Sequence, residues 1–177
     1  MKISNKTMEE KIVFSEQQHF KHWWLWLLLL GLNGMFVYGI YQQIILKKPF
    51  GNNPASDTGL CIGFGILLLL TILFAFFKLQ TDIKNDGIYF RFFPIQTTYR
   101  KYTWDKLHKI YIRQYNPITE YGGWGIRHGL FGKGKALNVS GNQGLQLTTI
   151  DNSKILIGTN KPELLKEALT ILKQYKP

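Results

Sequence analysis

Cysteine is nearly missing from this chain. Cys61 is the only one, so no disulfide and no cysteine-built metal site can form within one molecule. It lies among apolar residues, where a lone thiol behaves as a small hydrophobe. Acidic side chains are scarce as well: 11 Asp and Glu stand against 22 Lys and Arg, a formal net charge of +11. A third absence is local. Two stretches hold no charged residue, WWLWLLLLGLNGMFVYGIYQQIIL over residues 23–46 and GLCIGFGILLLLTILFAFF over residues 59–77. As helices rising 1.5 Å per residue they would measure roughly 36 Å and 28 Å, against about 30 Å for a hydrocarbon core. Core helices of globular domains seldom run so far without a charge. The pattern therefore predicts two transmembrane helices, 23–46 and 59–77, joined by a short external loop, 47–58. No small-residue cleavage site follows the first run, which is also too long for the apolar region of a signal peptide.

What is present agrees with two spans. Trp23, Trp24 and Trp26 stand at one end of the first run and Tyr38 and Tyr41 near the other, as interfacial aromatics do. Lys2, Lys6, Lys11 and Lys21 precede it, only Lys47 and Lys48 lie in the loop, and the other Lys and Arg follow the second run. The positive-inside rule then predicts a multi-pass membrane protein with both termini in the cytoplasm. Residues 1–22 form a polar cytoplasmic segment in which Ser15 is an acceptable N-cap for a helix entering the first span. Inside the spans, Gly31 and Gly34 flank Asn33, while Gly59 and Gly63 make a GxxxG pair. These five are candidate helix-packing positions, with Asn33 hydrogen-bonding across a helical hairpin. Neither span holds an ionisable residue, which argues against a proton or ion route.

After Lys78 the chain reads as short strands broken by turns. GIYFRFF places Ile88, Phe90 and Phe92 on one face. LHKIYIRQY places Ile110 and Ile112 inward, with Tyr111, Arg113 and Tyr115 outward. QTTYRKYTW, KALNVS, GLQLTTI and KILIGT add further runs, the last two joined by the tight turn DNS. One helix closes the domain. Asn160 is a plausible N-cap with Glu163 three residues on, Pro162 fits the first turn, and Leu165, Ala168, Leu169 and Leu172 follow helical spacing.

Chemistry-bearing motifs fail one by one. GLFGKGKA, residues 129–136, has the glycines and Lys135 of a phosphate-binding loop but Ala136 where Ser or Thr would hold magnesium, and no helix follows. Asn5 and Asn138 match the glycosylation pattern on the predicted cytoplasmic side. Ser140, His108 and His128 have no spacing that makes a nucleophile and base, and the four histidines form no metal-ligand pair. No enzyme and no cofactor are expected. From residue 78 onward the net charge is about +9 (sixteen basic and seven acidic side chains). That balance suits a solvated basic face, contact with anionic lipid head groups, or, less readily for a tethered domain, nucleic acid.

DGIYFRFFP, the YTWD stretch of residues 102–105, YNPITEYGGWGIR, NVSGNQGLQL and ILIGTNKPELL resemble the two-span bacterial membrane proteins that carry a C-terminal pleckstrin-homology-like domain. The resemblance covers about residues 83–175 and the hairpin before them. It implies a membrane-anchored α+β protein, its hairpin followed by a bent antiparallel β-barrel or sandwich of about seven strands plugged by the last helix. It brings no catalytic residues. In such a fold EYGGWGIRHG, residues 120–129, falls where two sheets meet. Gly122, Gly123 and Gly125 would let a strand bend between them, or form a lip that binds a partner or ligand. Trp124 would plug the barrel mouth or stand exposed, and Arg127 would pair with Glu120 or face a ligand. The candidate lip is Glu120, Tyr121, Trp124, Arg127 and Asn142. The expected function is a non-enzymatic interaction module that binds a protein partner or its own copy at the cytoplasmic leaflet. The alternative is an accessory subunit of a transporter or envelope-assembly complex, associating through its spans.

Overall fold

The computed structural model describes residues 11–129 and 132–177; Lys2, Asn5, Lys6 and positions 130 and 131 of the glycine-rich loop lie outside the described residues. The chain divides into two compact units, one built from residues up to 20 together with 77–177, the other from 21–76.

In the second unit, helix α1 (Trp23–Ile40) continues through a π-helical turn at Tyr41–Ile45, and helix α2 covers Asp57–Phe76. Both are long and apolar enough to cross a membrane. Helix α2 starts two residues earlier than the uncharged run because Ser56 Oγ accepts from the Gly59 N–H at 3.1 Å, satisfying one of the open donors of the first turn. Apolar side chains point outward along both helices: Leu27 and Leu30 are 65% and 64% exposed, Ile62 and Leu69 58% each. A helix in a protein core would hide such residues. Between the helices, Asn33 Nδ2 donates to Leu29 O at 2.7 Å and across to Thr71 Oγ1 at 2.8 Å. Thr71 Oγ1 in turn donates to Leu67 O at 2.8 Å. Phe36 of α1 lies against Gly63, where a Cβ would come within 2.9 Å of the ring. Gly31 and Gly34 face open space instead, and Gly59 sits beside its own cap, Ser56.

The first unit holds nine strands among the described residues, where the sequence suggests about seven. Strands β1 (Ile12–His19), β2 (Lys78–Lys84), β3 (Gly87–Phe93) and β4 (Arg100–Thr103) form an antiparallel sheet in that order. Residues 12–19 are thus a strand and not the helix that Ser15 was expected to open. The strand forms because β2 pairs with it along its length, Ser15 opposite Asp82 and His19 opposite Lys78. The expected domain start at residue 83 falls inside β2.

The second sheet contains β5 (Leu107–Gln114), β6 (Gly125–His128), β7 (Lys135–Asn138), β8 (Gln143–Thr149) and β9 (Lys154–Gly158) in the order β5-β8-β9-β7-β6. It is not wholly antiparallel. The chain reverses at each of the turns β7–β8 and β8–β9, so β9 returns parallel to β7 and pairs with it. The two sheets do not close into one barrel. A one-turn helix α3 (Pro117–Tyr121) follows β5, and helix α4 (Pro162–Ile171) ends the fold.

One core joins these parts. Phe14, Ile83, Phe90 and Phe92 from the first sheet meet Ile110, Leu145, Leu147 and Ile157 from the second, and Leu165, Ala168 and Leu169 of α4 pack into the same cluster. Fully burying each large side chain contributes about 1.5–3 kcal/mol. Lys161, and not Asn160, occupies the N-cap of α4. Asn160 is diverted: its N–H donates to Glu16 Oε1 at 2.8 Å and its amide donates to Ser140 Oγ at 3.0 Å.

Candidate functional site

NPITEYGG, residues 116–123, builds the site from local rules. Asn116 caps α3 by accepting from the Ile118 and Thr119 N–H groups, and Pro117 stands at the first helical position, where its lack of a donor is harmless. Glu120 Oε1 returns the bond by accepting from the Asn116 N–H at 2.9 Å. Gly122 ends the turn in the left-handed region at φ 70°, its N–H bonded to Ile118 O. The glycines therefore stop a helix; they do not bend a strand from one sheet to the other. The whole stretch serves a single sheet, since it runs from one edge strand, β5, to the opposite edge strand, β6.

Around this turn lies an open cleft of about 560 Å³, lined by Gln114, Asn116, Pro117, Ile118, Trp124 and Asn142, with Glu120 in its wall. Ile118 is 62% exposed. Three of the five expected lip residues, Glu120, Trp124 and Asn142, are brought together here. The other two are placed elsewhere. Tyr121 is buried in a small second core with Tyr115, Ala136 and Leu156, on the face of the second sheet away from the main core. Arg127 lies exposed on β6 and donates from Nε to Trp124 O at 3.1 Å. Nor does Arg127 pair with Glu120. Arg113 of β5 does, at 3.0 Å, with Lys133 Nζ farther off at 3.6 Å.

Arg113, expected on the outward basic face between Tyr111 and Tyr115, is held by four neighbouring residues. Its Nε donates to Gln146 Oε1, Nη1 to Gln114 O and Glu120 Oε1, and Nη2 to the Tyr121 hydroxyl while facing Glu120 Oε2. Four of the five donors of the guanidinium fork are thereby occupied, and the contact to Glu120 Oε2 adds charge attraction without a hydrogen bond. Burial pushes the Glu120 carboxyl up, but the Arg113 and Asn116 hydrogen bonds and the charges of Arg113 and Lys133 outweigh it. The group rests below the usual glutamate range.

Tyr115 also departs from expectation. It lies on the expected outward face of the second sheet but is buried there against Tyr121, and its hydroxyl accepts from Asn138 Nδ2 at 3.0 Å. Asn138 Oδ1 in turn accepts from the Gly125 N–H at 3.0 Å, fixing the start of β6. Burial raises the Tyr115 hydroxyl above its ordinary range.

Protein-family models, curated proteins and solved structures give no match to this chain. The site is read from its own chemistry. A cleft walled by a neutralised ion pair, an indole, an exposed isoleucine and neutral amides can hold an apolar side chain and hydrogen-bond the backbone around it. It gathers no nucleophile with a base. Among the described residues no cluster of three or more His, Cys, Asp or Glu could hold a metal ion. The Gly129 N–H donates to Gly134 O at 2.6 Å, and the element that follows from Lys135 is strand β7, not a helix.

Proposed function

We propose that this protein is a membrane-anchored interaction module of the bacterial inner membrane, with a pleckstrin-homology-like domain that binds a protein partner at the cytoplasmic leaflet. The observation that carries the reading is the cleft between Ile118, Trp124 and Asn142. Its apolar and neutral polar lining suits a peptide segment better than an ion or a charged metabolite. An antiparallel meander, a second sheet and an amphipathic last helix in a common core support the pleckstrin-homology-like assignment.

Anchoring rests on the two exposed apolar helices. The strand order adds an argument about sidedness. The chain leaves the first sheet after His19 and returns at Lys78, its direct neighbour in the next strand. Both ends of the helical hairpin therefore connect to one sheet, and two spans bring the chain back to its starting side. A charge count alone supports that weakly, given Lys47 and Lys48 in the loop.

The test is in-cell crosslinking of the full chain, followed by purification. Ile118→Asp places a charge in the cleft at an exposed position, and the partner is expected to be lost while the melt is unchanged. Arg127→Ala, outside the cleft, keeps it. If both variants retain every crosslink, the cleft is not the binding surface. A second reading, an accessory subunit held through its helices, is favoured by the open faces at Gly31 and Gly34. Gly31→Leu with Gly34→Leu would then abolish the crosslink that Ile118→Asp leaves intact.

A further inference from the structure

The solvent face of the first sheet carries three polar side chains directly opposite one another: Gln17 of β1, Gln80 of β2 and Arg91 of β3. Arg91 is pinned, with Nη1 donating to Thr97 O at 2.9 Å and the guanidinium lying over the Tyr99 ring. Its Nε donates to Gln80 Oε1 at 2.6 Å. Gln80 Nε2 donates to Gln17 Oε1 at 3.3 Å, and Gln17 Nε2 lies 2.9 Å from Nε2 of His19. The direction of this relay is fixed from one end. A guanidinium can only donate, so Gln80 must turn its oxygen to Arg91 and its nitrogen to Gln17. Gln17 must then offer its own nitrogen to His19, and His19 Nε2 must accept. Only a neutral imidazole with its proton on Nδ1 can do so.

His19 ends β1, and the chain runs from it through residues 20–22 into α1. Lys78, the first residue of β2, stands directly opposite, its Nζ over the Phe93 ring. These two are the last paired residues of the sheet on either side of the helical pair. The other charged groups packed against β1 lie further along it. Asp82 is opposite Ser15 and accepts its hydroxyl, while α4 brings Lys161 and Glu167 to Val13–Ser15. Among the described residues no carboxylate pairs with His19. We infer that His19 is a pH-sensitive latch on the end of β1. Neutral, it closes the relay from Arg91 and holds the strand end to the sheet. Protonated, it has no acceptor left, turns an N–H towards the Gln17 amide, and sets two cations opposite each other. Like charges directly opposite in a ladder are destabilising. The latch therefore holds at higher pH and is lost on acidification. What it loosens is the Gln17–Gln80 and His19–Lys78 pairs, where the chain leaves the sheet for α1 and returns from α2. It does not depend on the function proposed for the cleft at Trp124.

The test uses the full chain in a neutral detergent, with the histidine ring nitrogens isotopically labelled for NMR. The His19 signals are those that His19→Gln removes; His19 is exposed, so this variant should melt as wild type at pH 7.5. In wild type at that pH the His19 proton is expected on Nδ1, the less common tautomer of a free neutral imidazole. Arg91→Met removes the donor that sets the direction, lets the amides turn, and should return the proton to Nε2. Amide hydrogen exchange is then compared at pH 7.5 and pH 5.5, within the range where imidazoles change charge, each corrected for the intrinsic rate. Protection at residues 17–19 and 78–80 should fall about three- to tenfold in wild type, the loss of about one hydrogen bond. It should stay constant in His19→Gln, whose amide oxygen accepts at either pH. A proton on Nε2 in wild type, or an equal fall in protection in His19→Gln, overturns the latch.

Discussion

Glu120 is the residue on which the candidate site turns. Its carboxylate caps the start of α3, clamps Arg113 and draws in Lys133. Because its folded-state value is depressed, its contribution to stability is present above the ordinary glutamate value, about 4, and is lost as pH falls through the folded-state value. Chemical denaturation of wild type and Glu120→Gln between pH 7 and pH 3 should therefore show a gap of about 1–3 kcal/mol at neutral pH. The gap closes towards pH 3. A gap that does not vary with pH would mean the ion pair adds nothing. This pairing was hard to read from sequence, since Arg113 and Arg127 are equally plausible partners until the strand order is known. The glycines at 122 and 123 signalled special backbone correctly, but a helix stop and a sheet bend ask for the same residue. Gly134 is different in kind: a Cβ there would run into the Lys154 carbonyl oxygen at a φ of 82°, and no periodicity announces such an approach.

At the scale of elements, the strands from Gly87 to Gly158 were largely legible because alternating apolar residues mark their buried faces. Ile88, Phe90 and Phe92 are each at most 1% exposed. Strand β1 was not legible, for a physical reason. Its inward positions after Phe14 are Glu16 and Gln18, both 4% exposed, so the hydrophobic alternation is replaced by a polar one. Those side chains join the first strand to the end of β9. Glu16 accepts from Thr159 Oγ1 at 2.6 Å and from the Asn160 N–H, while Gln18 donates to Gly158 O at 2.7 Å. Leaving buried donors unsatisfied costs about 1–3 kcal/mol each. Glu16→Ala should thus lower the unfolding free energy by about 2–4 kcal/mol, and Glu16→Gln, which keeps an acceptor oxygen, by clearly less. Equal effects of the two substitutions in a denaturant titration would show that volume, and not the hydrogen bonds, matters at this position.

For the whole molecule, the division into a helical pair and a β-rich unit was visible in the two uncharged runs. The pairing of β1 with β2 across the helical insertion was not, because it joins residues about sixty positions apart. That pairing makes a demand on topology, since both ends of the hairpin connect to one sheet. The most direct test is cysteine accessibility in intact cells, with Cys61 replaced by Ala. Single cysteines at Gln17 in β1, Asn52 in the loop and Glu167 on α4, all exposed, are treated with a membrane-impermeant maleimide. Labelling at position 52 alone, with positions 17 and 167 reacting only after the membrane is opened, is the predicted result. Labelling of all three in intact cells, or of position 17 on the opposite side from position 167, would contradict the account.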